Sequence, residues 1–264
     1  MPSAANHSSS RFVKVLFIGN SGAGKTGALT SLVEAGYKLQ ILDLDAGLDA
    51  LIHHVRASNP DLLNNIGYQS FRDRMKMTSS GPKVVGVPKA YVNTCQALET
   101  WPDDDTDPAS WGEDTILVVD SLTNLGRAAF QWARAANPAS KDPRQWYKTA
   151  QDLIEDLIAN ITSEGFETNV IVISHVDMVE TKEGLIKGFA SSIGTALGPK
   201  LPRFFNTMIL SEVSGSGKNV RRKIKTMPTS LLELKNPAPM KIDAEYGIET
   251  GMADIFKKLR AGAN

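Results

Sequence analysis

The run from Gly19 to Thr26, Gly-Asn-Ser-Gly-Ala-Gly-Lys-Thr, has the residue types and spacing of a phosphate cradle. Its glycines let backbone N–H groups curl around a phosphate with no Cβ in the way. Lys25 is the cation for the β- and γ-phosphates of a nucleoside triphosphate, and the Thr26 hydroxyl is a ligand for Mg²⁺. The nucleotide-contacting run is therefore Gly19, Asn20, Ser21, Gly22, Ala23, Gly24, Lys25, Thr26 and Gly27. A second acidic group is needed beside the metal, and Asp120 follows the apolar run 115–119. That position suits a Mg²⁺-shell carboxylate, although Asp120 and Ser121 also suit the cap of the helix that follows. Asp43 and Asp45 close another apolar run and are candidates to orient water, or to cap a turn. His175 follows Ser174 at the end of a third run, and Lys223 and Lys225 stand two residues apart.

These residues need elements to hold them. Residues 12–18, 39–45, 115–120, 169–174 and 205–213 are short runs rich in Val, Ile and Leu, which read as strands buried on both faces. Between them the spacing predicts helices over 25–35, near 48–58, over 88–101 with Pro88 at its start, and after 121. In the last of these, Trp146, Ala150, Leu153, Ile154, Leu157, Ile158 and Ile161 keep helical spacing, as a core-facing stripe does. Residues 83–87 and 230–235 read as further strands, 214–219 as a hairpin turn, and the Pro- and Asp-rich 101–114 as a solvated loop. Strands alternating with helices predict an α/β fold: a mainly parallel β-sheet flanked by helices, with a C-terminal β-hairpin. The expected organisation is a flexible tail over 1–11, an ATPase core over 12–235, and a peripheral tail with a short helix over 236–264.

Composition narrows the function classes. Among 264 residues, 29 Lys and Arg balance 29 Asp and Glu, so any nucleic-acid contact must come from a local patch. One cysteine, Cys95, excludes an internal disulfide and a cysteine-only metal site. It fits a reducing, cytoplasmic setting, and the sequence offers no run of membrane-spanning length. No guanine-reading Asn/Thr-Lys-x-Asp motif occurs, which tilts the nucleotide towards ATP.

The order of phosphate loop, strand ending in Asp-x-Asp, strand ending at Asp120, strand ending at His175 and basic hairpin resembles a RecA-like P-loop ATPase core across most of 12–235. It is similar to phage-encoded RecA-core proteins of the single-strand annealing and recombination group. The resemblance implies Asp45 as general base, where the family usually carries Glu. It implies His175 as γ-phosphate sensor, where the family usually carries Gln, with Ser174 before it. It implies Lys223 and Lys225 as a finger reaching a neighbour's ATP, although a solvated hairpin carries such residues too. Two DNA-facing loops are implied, within 122–146 and 177–203, the second offering Lys182, Lys187, Lys200 and Arg203 to phosphates or simply to solvent.

The function expected on this resemblance is Mg²⁺-dependent ATP hydrolysis coupled to single-stranded DNA. The protein would form a homo-oligomeric filament or ring, work alongside a single-strand-binding protein, and reside in the cytoplasm of a bacterial host if phage-encoded. The competing expectation is a RecA-fold ATPase serving another machine in helicase loading, packaging or regulation. A P-loop small-molecule kinase is the third, and the Arg-rich lid usual in such enzymes is not visible in the sequence.

Overall fold

A computed structural model of the chain describes residues 11–140, 142–181 and 184–260. Its centre is an eight-stranded sheet of β1 (Lys14–Gly19), β2 (Lys38–Asp43), β3 (Ile66–Ser70), β6 (Gly112–Asp120), β7 (Thr168–Ser174), β10 (Thr207–Ser214), β11 (Arg221–Lys225) and β12 (Glu245–Gly247). The spatial order is β12-β11-β10-β1-β7-β6-β2-β3. The run from β10 to β3 is parallel throughout, and β11 and β12 extend it antiparallel. This is the mainly parallel, helix-flanked P-loop sheet that the sequence predicts. Two small hairpins stand outside it, β4 (Met75–Thr78) with β5 (Gly81–Val84), and β8 (Val176–Glu180) with β9 (Ile186–Ala190).

The central strands read as unbroken apolar runs because each face meets its own core. Leu16, Ile18, Leu117, Val119, Val170 and Val172 point into one cluster, covered by α4 (Ala90–Glu99), α5 (Leu122–Ala136) and α6 (Pro143–Ile161). Val15, Phe17, Ile116, Val118, Ile171 and Ile173 point into the other. That face is covered by α1 (Lys25–Ala28), α2 (Thr30–Glu34), α3 (Asp49–Ser58) and α7 (Gly251–Arg260). Lys14 is buried at the start of β1, and its ammonium donates to the carbonyls of Ile161, Phe166 and Thr168 at 3.2, 2.7 and 2.7 Å. Burial pulls its pKa down to about 7.

Several sequence expectations need correction. Residues 230–235 form no strand and make two isolated bridges, Gly188 with Leu232 and Met208 with Lys235. From Leu210 onward β11 already occupies that edge of β10, so the returning segment can pair only below it. The helix expected over 25–35 is two pieces that meet at Leu29. The strand expected over 83–87 is β5, ending at Val84 and paired only with β4. The Pro- and Asp-rich loop is anchored by Trp101, fully buried and edge-on to Trp111 at 5.2 Å, and β6 begins within it at Gly112. The C-terminal stretch is not peripheral: β12 joins the sheet, and Met252, Ile255 and Phe256 of α7 are fully buried. Residues 1–10 of the expected tail lie outside the described residues.

Candidate nucleotide-binding site

The parallel register lines up the C-terminal ends of four strands. Asp43 pairs with Asp120, Asp120 with Ile173, and Ser174 with Ile18, one residue before Gly19. The loop from Gly19 to Gly24 rises from this edge, and α1 starts at Lys25. Two glycines are sterically required. A Cβ on Gly19 would sit 2.6 Å from the Ser211 carbonyl oxygen, and Gly24 caps α1 at φ 92 with the Arg222 side chain pressed against it. From below, Ser211 Oγ donates to the Ala23 carbonyl at 2.7 Å, tying the loop to β10.

Lys25 is buried, and its Nζ donates to the carbonyls of Gly19 and Asn20 at 2.8 and 3.0 Å. Burial lowers its pKa, opposed by the Asp120 and Asp45 carboxylates. Thr26 Oγ1 donates to Asp120 Oδ2 at 2.7 Å. Asp120 is 3% exposed. Burial pushes its pKa up to about 6, and the nearby charges of Asp45 and Asp43 add to the rise, while the Thr26 hydrogen bond and Lys25 oppose it. The phosphate loop and the Asp120 strand, separated by 94 residues in sequence, are thus in direct contact.

Asp45 is held by three donors on one oxygen. Ser121 N, Ser121 Oγ and Asn124 Nδ2 reach Oδ1 at 3.2, 2.8 and 2.7 Å, and among the described residues Oδ2 accepts no hydrogen bond. Asp43 is the buried partner behind it. Its Oδ1 accepts from Ala46 N at 2.8 Å, fixing the turn that carries Asp45, and its Oδ2 accepts from Ser70 Oγ at 3.1 Å. His175 follows β7, the strand between β1 and β6, and lines the same cleft as Lys25 and Asp120. Burial, aided by the Lys25 charge, lowers its pKa.

Lys25, Thr26, Asp45, Asp120 and His175 all line one cleft of about 920 Å³. Its far wall is formed by His53 and His54 of α3, Arg222 of β11, and Ile248 and Glu249. The residues fit Mg²⁺ and a nucleotide: a hydroxyl and a carboxylate lie side by side as hard oxygen donors, next to an ammonium and a glycine-lined cradle. Among the described residues no group of three or more His, Cys, Asp or Glu side chains is arranged to hold a metal by itself.

Lys223 and Lys225 are not in this cleft. They pair with Glu245 and Glu212, at 2.5 and 2.7 Å, on the other face of β11. The cation that does reach the loop is Arg222, whose Nε donates to the Gly22 carbonyl at 3.2 Å. Sequence reasoning missed it, although the period-2 alternation that puts 223 and 225 on one face puts 222 on the other. Of the candidate phosphate contacts, Lys187 pairs with Glu233, and Lys200 and Arg203 share Glu155; Lys182 lies outside the described residues. The stretch 122–146, expected to hold a DNA-facing loop, is mostly helix α5 and the start of α6. Within 177–203 lie most of the β8–β9 hairpin and much of the 3-10 turn Gly198–Phe204. Among the described residues no helix is long and apolar enough to cross a membrane.

No curated protein matches this chain. Among solved structures, it is similar at 11% identity to a KaiC-like protein from Pyrococcus horikoshii OT3, covering 81% of this chain and 78% of that one with a TM-score of 0.42. It is also similar at 11% identity to the flagellar accessory protein FlaH from Methanocaldococcus jannaschii, covering 89% of this chain and 84% of that one with a TM-score of 0.45. The family model AAA_24, described as an AAA domain, matches residues 11–238, a span that contains the cradle, both strand-end carboxylates, His175 and Arg222. With that span matched, the chain belongs to the AAA_24 family of AAA domains.

Proposed function

We propose that the protein is a Mg²⁺-dependent ATPase that works on single-stranded DNA in recombination or annealing, as a homo-oligomeric filament or ring alongside a single-strand-binding protein. The observation that carries the ATPase reading is the convergence of Lys25, the Thr26–Asp120 pair and the anchored Asp45 in one cleft. The DNA reading rests on the resemblance of the motif order to RecA-like recombination proteins.

Each side chain has a defined part. Backbone amides of the 19–24 loop and the Lys25 ammonium bind the β- and γ-phosphates. Thr26 and Asp120 would hold Mg²⁺, which when bound neutralises phosphate charge. Asp45 Oδ2 is the free oxygen of a carboxylate whose orientation Ser121 and Asn124 fix; it accepts a hydrogen bond, and then the proton, from the attacking water. His175 lines the cleft beside Lys25 and Asp120, where it senses the γ-phosphate, and stands directly before β8.

A second reading, an ATPase serving a protein machine, is favoured by one feature. Met178, Leu185 and Ile186 of the β8–β9 hairpin and its turn are 52%, 60% and 56% exposed, as suits a protein-facing element. ATP turnover with and without single-stranded DNA separates the two. DNA-stimulated turnover that disappears in Lys25→Ala, with thermal stability retained, is the expected result. Retained turnover in that variant would overturn the site assignment. Turnover indifferent to DNA would favour the protein-serving reading.

A further inference from the structure

We propose that the β4–β5 hairpin is a docking surface for the sugar-phosphate backbone of single-stranded nucleic acid; this rests on the DNA reading above and assigns it a place. The hairpin and its roots, residues 71–89, carry Arg72, Arg74, Lys76, Lys83 and Lys89 against the single carboxylate of Asp73, in a chain of zero net charge. Asp73 is already engaged, accepting from the backbone N–H groups of Lys89 and Ala90 at 2.7 and 3.1 Å. None of the five cations forms an ion pair with a described residue. The cations of the loop expected to meet DNA contrast with this, since Lys187, Lys200 and Arg203 are all neutralised within the chain.

The register adds an independent argument. Lys76 lies directly across from Lys83, a like-charge pair that weakens a hairpin. The ladder continues one step, with Val85 N donating to the Arg74 carbonyl at 2.8 Å, so alternation places Arg74 on the face of Lys76 and Lys83. Protecting a sheet edge needs a charge, not three of one sign converging on one face of a marginal two-stranded ribbon. A polyanion removes that repulsion. The neighbouring exposed groups suit bases rather than acidic side chains: Val85, across from Arg74, and Val87 are 49% and 66% exposed, and Tyr68, on the edge strand leading into the hairpin, is 52% exposed and offers a stacking face.

The surface is also wired to the cleft. Ser70 Oγ and Phe71 N, at the hairpin's root, donate to Asp43 at 3.1 and 3.0 Å, and Asp43 holds the turn that carries Asp45.

The test is binding of fluorescent oligothymidylate to the full chain across a salt series, with Mg²⁺ and a non-hydrolysable ATP analogue. Two triple variants are compared, Arg74→Gln/Lys76→Gln/Lys83→Gln and Lys187→Gln/Lys200→Gln/Arg203→Gln. With each single-strand phosphate contact contributing about 0.7 to the log–log salt slope, the hairpin variant should flatten it by about 2 and lose affinity about tenfold or more. The loop variant should bind as wild type. Unchanged binding of a fluorescent ATP analogue by the hairpin variant verifies that it is folded. Wild-type affinity and slope in the hairpin variant would overturn the proposal while leaving the DNA reading intact. A wild type that does not bind oligothymidylate removes both. Equal binding of polyglutamate through the same three cations would make the surface a protein-docking one and would also overturn the proposal.

Discussion

Arg222 and Lys223 are adjacent in sequence and face opposite ways. Lys223 is matched by Glu245, whereas Arg222 crosses to the phosphate loop and touches the Gly22 carbonyl. A guanidinium there lies within the chain's own cleft and adds a second cation to that of Lys25. Arg222→Ala should raise KM for ATP by about tenfold, near 1.4 kcal/mol, with little change in melting temperature. Arg222→Lys should recover part of the loss, and Arg221→Ala, on the other face of the strand, should leave KM alone. Steady-state kinetics on the three variants checks this. Legibility at this scale follows sequence distance. Lys25 and Thr26 could be read because one contiguous motif contains every group that the chemistry needs. Asp120 could be read because a strand end beside a cradle has few other uses. Arg222 could not, because its role depends on β11 lying close enough to the phosphate loop for its side chain to cross to Gly22, and no local pattern records that. The Asp45 anchors, Ser121 and Asn124, were hidden for the same reason: they lie 76 and 79 residues away.

Among the elements, α7 is the one whose weight the sequence hid. Its Met252, Ile255 and Phe256 complete the core beneath α2 and β1, Ala253 N donates to Ser31 Oγ at 3.3 Å, and Arg260 pairs with Glu113. Phe256→Ala should therefore cost about 3–5 kcal/mol, as a fully buried aromatic does and a peripheral tail does not. Denaturant unfolding of the full chain measures it, and a loss under about 1 kcal/mol would return the segment to the periphery. The central strands were legible because burial on both faces leaves an unbroken apolar run. Of the hairpins, β5 was legible only as a strand over 83–87, while β4 and the β8–β9 pair were not, because each is polar or exposed along much of its length. Edge strand β12 has three residues, too few for any period to emerge.

At the scale of the whole molecule, a shared active site between copies makes a distinct prediction. Lys223 and Lys225 point away from their own cleft, a disposition compatible with reaching another subunit's nucleotide once Glu245 and Glu212 release them. A shared-site oligomer predicts that Lys223→Ala/Lys225→Ala lowers turnover, and that mixing it with Lys25→Ala restores part of the activity, because some interfaces then combine an intact cradle with an intact finger. Titrating one variant into the other under turnover conditions gives the answer. Complete absence of rescue would assign the two lysines to in-chain ion pairs alone. The global fold class was legible from strand and helix alternation, and assembly was not, since nothing in one chain's periodicity encodes which copy faces which.

The sheet order has one more consequence, for biosynthesis. The phosphate-loop strand leaves the ribosome before the other described strands, yet both of its neighbours, β7 and β10, are encoded far downstream. Until residue 214 has been made, this apolar segment has an unpaired edge, and the nucleotide cradle lacks the Ser211 prop beneath it. Such long-range closure folds slowly and exposes a sticky intermediate. The cradle can therefore grip nucleotide only after β10 has been made, although its own residues were translated long before.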